Sequence, residues 1–232
     1  VAVGTNSTST TAGAVATQSI YYSADGLTWT ATTVNVYGAT LSTSLGGWCV
    51  AWNGQRWVTG GFVGGTSNTI FYSTDGITWT AISGDTFSTG NAICKGVCWN
   101  GYKWIATGNA GPARTMIYSF DGITWTATPV NVFGSNSGAQ GNCVAYNSVR
   151  PNTITFPRNI SVLGCSSTGT VGGPTGTLGY SLDNGVTWTT TNLAGGGVAV
   201  FGQNSCFCSE FNGYIWIAGG SWNTTLSNNM AF

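Results

Sequence analysis

The sequence predicts an all-β fold, a β-propeller of four-stranded antiparallel blades, and three observations carry that expectation. The stretch "FYSTDGITWT" at residues 70 to 79 returns as "YYSADGLTWT" at 21 to 30, as "IYSFDGITWT" at 117 to 126 and, one residue longer, as "GYSLDNGVTWT" at 179 to 189. A second landmark keeps step with it: "WNGQRW" from Trp52 to Trp57, "WNGYKW" from Trp99 to Trp104 and "FNGYIW" from Phe211 to Trp216. No segment shows the apolar period of about 3.6 residues that marks an amphipathic helix. Four-stranded units of roughly 45 to 50 residues, radially repeated, are the signature of a propeller.

Each unit reads as four strands. In the second, "CVAW" is followed by the Asn53-Gly54 turn, "RWVTGG", a loop, "TIFYS", the Asp75-Gly76 turn and "ITWTAI". Asn-Gly and Asp-Gly between β-formers predict tight hairpins of type I′, because both residues tolerate positive φ. The blades are expected at 1–34, 47–83, 94–128, 142–192 and 205–232 within one domain, 1–232. That makes about four and a half blades of a propeller of about six to eight. The unit at 142–192 is irregular, because "NSVRPNTITFPRN" replaces the tight Asn-Gly turn and its prolines interrupt ladder pairing. "VAVGTN" at the start and "NNMAF" at the end read as parts of a longer array. Either further blades or neighbouring subunits are expected to cover the open edges.

Charged residues make up 5% of the chain, six basic against six acidic, where about 25% is usual. Such a chain has no electrostatic footprint for nucleic acid or an anionic membrane. No apolar run reaches the ~18 residues of a membrane span, and no leader is visible. Solubility must come from Thr, Ser, Asn and Gly, a surface suited to extracellular or particle proteins. Histidine is absent, which removes the commonest general base and metal ligand together. No cofactor, metal or catalytic residue is expected.

The recurrent motif resembles the Asp-box, or bacterial neuraminidase repeat, whose pattern is Ser-x-Asp-x-Gly-x-Thr-Trp. Ser181, Asp183, Gly185, Thr187 and Trp188 fit it in full. Ser23, Asp25 and Trp29, Ser73, Asp75 and Trp79, and Ser119, Asp121 and Trp125 belong to copies one residue shorter. The resemblance implies a structural turn between the third and fourth strands of a blade, away from any active site. In that family sialidase chemistry needs three clustered arginines, a Tyr with a Glu partner and an acidic proton donor. Here the arginines are Arg56, Arg114, Arg150 and Arg158, three of them on first-hairpin turns, and only Asp85 and Glu210 remain as acids outside the motifs. A glycosidase needs a juxtaposed carboxyl pair, so a hydrolase with its catalytic residues elsewhere is kept only as an alternative. The combination of "WNG" hairpins with "YSxDGITWT" is also similar to hypothetical repeat proteins of large DNA viruses, which implies a virion or particle component.

Six of the seven cysteines, Cys49, Cys94, Cys98, Cys143, Cys206 and Cys208, stand at even offsets before the hairpin Asn, which predicts one face of the first strand. Buried thiols acting as small apolar groups are the expected role, suited to assembly in a reducing cytoplasm. A zinc or redox site built on Cys206 and Cys208 is the competing reading, and its spacing matches no known zinc module. Nine of the eleven tryptophans occupy motif positions, while Trp48 and Trp222 do not. Sequons begin at Asn6, Asn159 and Asn223.

The turns after the first and third strands of a blade share one face. The opposite face receives long, dissimilar loops, and variable loops on a repeated scaffold are where recognition resides. A protein or glycan partner is therefore expected there, met by Phe62, Arg114 and Trp222 and by the inter-blade aromatics Tyr37, Phe87 and Phe133. The competing role for the last three is to plug blade junctions. The expected function is a non-enzymatic structural or attachment module, with a lectin-like propeller as the alternative.

Overall fold

In the computed structural model, described for residues 1–5, 18–38, 45–63, 68–84, 87, 92–109, 115–128, 140–147, 160–166, 177–190, 205–212, 215–221 and 230–231, the alternating β-formers assemble into five antiparallel sheets. The first holds β1 (Ala2–Val3), β2 (Ile20–Tyr22) and β3 (Thr30–Ala31). The second holds β4 (Gly46–Trp52), β5 (Trp57–Phe62), β6 (Ile70–Ser73) and β7 (Thr80–Ala81); the third, β8 (Ile93–Trp99), β9 (Trp104–Asn109), β10 (Met116–Ser119) and β11 (Thr126–Ala127). The fourth holds β12 (Gln140–Tyr146), β13 (Ser161–Ser166), β14 (Leu178–Ser181) and β15 (Thr189–Thr190), and the fifth β16 (Cys206–Phe211), β17 (Trp216–Gly220) and β18 (Met230–Ala231). Strands pair in chain order within every sheet. No helix among the described residues is long and apolar enough to cross a membrane.

The "WNGxxW" landmark closes each first hairpin by aromatic pairing. Trp52 stands opposite Trp57, Trp99 opposite Trp104 and Phe211 opposite Trp216, with ring centroids 4.9, 5.4 and 5.0 Å apart. The turns after Trp52 and Trp99 are not of type I′. Four residues form each connection, the Asn keeps negative φ, and Gly54 and Gly101 take φ of 97° and 85°. Asn works through its side chain instead: Asn53 Oδ1 accepts from the amides of Gln55 (2.9 Å) and Arg56 (2.7 Å), and Asn100 Oδ1 from those of Tyr102 and Lys103. In the irregular fourth sheet Asn147 Oδ1 still accepts from Ile160 N at 2.8 Å, so the longer connection is closed by the same device.

Every fully described first strand carries a β-bulge. The register skips Trp48, Lys95, Asn142 and Phe207 in β4, β8, β12 and β16. An extra residue reverses the facing of everything beyond it. The expectation of those six cysteines on one face therefore fails: residues six before the hairpin Asn face one side of the sheet, and those four and two before it face the other.

This reversal sets how the sheets meet. β4 packs on β8, β8 on β12 and β12 on β16, so consecutive sheets lie face to face and the core is divided into layers between them. At the junction of the second and third sheets, Cys49 Sγ and Cys94 Sγ are 4.0 Å apart over Gly60. A methyl group on Gly60 would lie 2.2 Å from Cys94 Sγ. At the junction of the fourth and fifth, Cys143 and Cys206 stand over Gly164, whose methyl would lie 2.6 Å from both sulfurs. Between the third and fourth sheets the volumes are exchanged: Gly96 and Gly141 face Thr107, within 2.6 and 2.8 Å of its side chain for an added methyl. Close packing requires this complementarity. The arrangement is consistent with a propeller-like fold.

Candidate functional site

All four Ser-x-Asp turns bind their own backbone. Ser73 Oγ donates to Asp75 Oδ1 (2.8 Å) and accepts from Gly76 N (2.8 Å), while Asp75 Oδ1 also accepts from Ile77 N (2.8 Å) and Thr78 N (2.7 Å). Ser23 with Asp25 and Ser119 with Asp121 repeat the pattern. In the longer copy Asn184 takes the left-handed φ of 60°, which absorbs the added residue and leaves Gly185 N on Ser181 Oγ at 2.7 Å. Amide donors hold the Asp25 and Asp75 carboxyls down to about 2. At Asp121 and Asp183 partial burial opposes the lowering, but the Thr124 and Ile123 amides, and the Thr187 hydroxyl and amide, outweigh it and leave both at about 2.

The same turns key consecutive sheets together. A methyl on Gly76, Gly122 or Gly185 would lie within 3.2 Å of Val1, Val58 or Ile105, each from the preceding sheet or the residue leading into it. Arg56 donates to the carbonyl of Asp121, and Lys103 Nζ to that of Gly185 at 3.1 Å. Asn100 Nδ2 reaches the carbonyl of Asn184 at 3.1 Å. Trp29 and Trp188 cover their turns through Nε1 to the carbonyls of Gly26 (3.2 Å) and Gly185 (3.3 Å), and Trp125 is buried. Exposed Tyr102 and Phe120, with centroids 5.4 Å apart, add an aromatic pair to this tight-turn side.

The bulge residues form a second feature. Lys95 Nζ donates to Asn142 Oδ1 (3.0 Å) and to Gln140 Oε1, lies 5.7 Å from the centroid of the Trp48 ring, and Asn142 Nδ2 donates to the carbonyl of Cys206 (2.8 Å). Burial lowers the Lys95 pKa. Trp48 and Phe207, at 43% and 58% exposure, stand on the sheets at either end. An indole face beside an ammonium and two amides offers stacking, charge and hydrogen bonds together.

No protein-family model matches the chain, and no curated protein matches it. Among solved structures it is similar to the GH74 enzyme of Niastella koreensis, at 20% identity and a TM-score of 0.32. The match covers 74% of this chain and spans 28% of that enzyme's chain.

The residues expected to meet a partner do not come together as a site. Tyr37 and Phe87 have 0% exposure, which corrects their assignment as contact residues: they plug the junctions between sheets. Tyr37 stacks edge-on to Phe71 at 5.0 Å and its hydroxyl shares a 2.8 Å hydrogen bond with Thr59 Oγ1. Phe87 sits in the layer with Val58, Ile70 and Trp104. Phe62 ends β5, half-buried. Arg114, Phe133, Trp222, Asp85, the other two arginines and the three sequon asparagines lie outside the described residues. Lys95, Asn142 and Phe207 were not expected, although each stands five residues before its hairpin Asn, as Trp48 does.

Proposed function

We propose that the chain is a non-enzymatic structural or attachment module, built as a propeller of about six to eight blades and working on a virion or particle surface. The observation that carries the non-enzymatic reading is the commitment of all four motif carboxylates to their own turn amides. A carboxylate held at about 2 neither takes nor gives a proton usefully near neutral pH. Glu210, exposed on β16, accepts from the amide of Phe211. The placement on a particle rests on composition and repeat style alone. A partner on the long-loop face, met by Phe62, Arg114 and Trp222, belongs to this reading.

Glycan binding is the second reading, and Trp48 beside Lys95, Gln140 and Asn142 favours it. A pyranose ring would stack on the indole while its hydroxyls meet the ammonium and amides. Fluorogenic sialosides should show no turnover above buffer, and measurable hydrolysis would overturn the non-enzymatic reading. On a glycan array, binding lost in Trp48→Ala and weakened in Lys95→Met would establish the second reading. Array binding indifferent to both substitutions would remove this site from it.

A further inference from the structure

We infer that Cys49 with Cys94, and Cys143 with Cys206, are two inter-sheet disulfide sites, which lock the second sheet to the third and the fourth to the fifth when the protein meets oxidising surroundings. The inference does not depend on the binding role above. Its first support is geometry: Cys49 Sγ and Cys94 Sγ stand 4.0 Å apart across the junction, and a disulfide closes that gap to about 2.05 Å by side-chain rotation. The second is repetition. Cys143 and Cys206 occupy the same two positions of the next-but-one junction, over Gly164 as the first pair stands over Gly60. Both glycines lack the methyl group that would occupy the space between the sulfurs.

The β-bulge creates these pairs. It turns the residue four before the hairpin Asn toward the following sheet and the residue six before it toward the preceding one, so cysteines far apart in sequence face each other. The junction of the third and fourth sheets has Gly96 and Gly141 at the two positions and Thr107 opposite. It therefore stays unlinked, and the staples alternate.

Formation proceeds by thiol–disulfide exchange with a low-molecular-weight disulfide. A thiolate of Cys49 attacks one sulfur of that disulfide, expels the other as a thiolate, and carries a mixed disulfide. Cys94, deprotonated in turn, attacks the Cys49 sulfur and expels the second small thiolate. The protein loses two electrons and two protons, and the small disulfide becomes two thiols. At the other pair the attacking group is Cys143: the Cys206 thiol beside it lowers its pKa, and Ser209 Oγ lies 3.7 Å from its sulfur. Cys49 and Cys143 are each half-buried, whereas Cys94 and Cys206 are fully buried, so the order of attack follows access.

The test uses the folded, reduced chain carrying Cys208→Ser, which removes the exposed thiol, incubated with glutathione disulfide at neutral pH, quenched with an alkylating agent and mapped by peptide mass spectrometry. The expected product has lost about 4 Da, one hydrogen per linked cysteine, and yields only the Cys49–Cys94 and Cys143–Cys206 peptides. Cys49→Ser should abolish the first link and keep the second, and Cys143→Ser the reverse, while the thermal midpoint without reductant rises only where a link forms. Four thiols that stay alkylatable after prolonged oxidation of the folded chain would overturn the inference. So would links that join Cys98 or Cys165 in preference.

Discussion

At the scale of the residue, Asp121 shows why a carboxylate repeated through a chain of few charges is architecture. Its Oδ1 accepts from Ser119 Oγ, Ile123 N and Thr124 N at 2.9, 2.8 and 2.7 Å, as an N-cap side chain satisfies orphan amides. Asp121→Ala should cost about 1 kcal/mol in denaturant melts, and Asp121→Asn, which keeps an acceptor oxygen, should cost less. Gly60 makes a sharper case, because its φ is ordinary and only space demands glycine. Gly60→Ala places a methyl 2.2 Å from Cys94 Sγ and 2.7 Å from Cys94 Cβ, and overpacking of this kind costs about 1 to 3 kcal/mol. Cys94→Ala should recover part of that loss in the double variant, a coupling that a double-mutant cycle reads directly. The turn aspartates were legible in sequence through their fixed spacing. The role of Gly60 was not, because its neighbours come from two different sheets.

At the scale of the element, the hairpins and bulges separate what local sequence reads from what it misreads. Asn-Gly located the first hairpins of the second, third and fifth sheets correctly, but the side chains of Asn53 and Asn100, each accepting two amides, support a four-residue connection rather than a type I′ turn. The bulge left no local signal at all, since Trp48, Lys95, Asn142 and Phe207 share an offset and no chemistry. Counting by twos through that extra residue put the cysteines on one face, and the observed register puts them on two. The keyed turns give a prediction at this scale. Lys103, almost wholly buried, donates to the carbonyl of Gly185, and Arg56 does the same for Asp121 one junction earlier. Lys103→Met and Arg56→Met should each destabilise by about 1.5 to 3 kcal/mol, the range for a hydrogen bond made by a charged group. Belonging to different junctions, the two effects should add within about 0.5 kcal/mol.

Over the whole molecule the charge pattern fixes the pH response. Each motif carboxyl sits at about 2 in the folded chain against 3.8 for an unperturbed Asp. A depressed folded pKa contributes stability that is present above the unfolded value and lost as pH falls through the folded one. With no histidine, the thermal midpoint should stay level from about pH 8 to pH 5 and drop between about pH 4 and pH 2. Replacing all four aspartates by Asn should flatten that drop, and a midpoint falling already between pH 7 and pH 5 would contradict the account. The sequence by itself determined the all-β class, the period and the positions of the turns, because turn chemistry and two-residue alternation are local properties. Tertiary structure alone decided that Tyr37 and Phe87 plug junctions, that thiols of adjacent sheets face each other, and that Trp48 shares a row with Lys95 and Asn142. Those outcomes depend on which face of one sheet meets which face of the next. A single bulge residue reverses that facing while leaving the hydrophobic pattern of the chain unchanged.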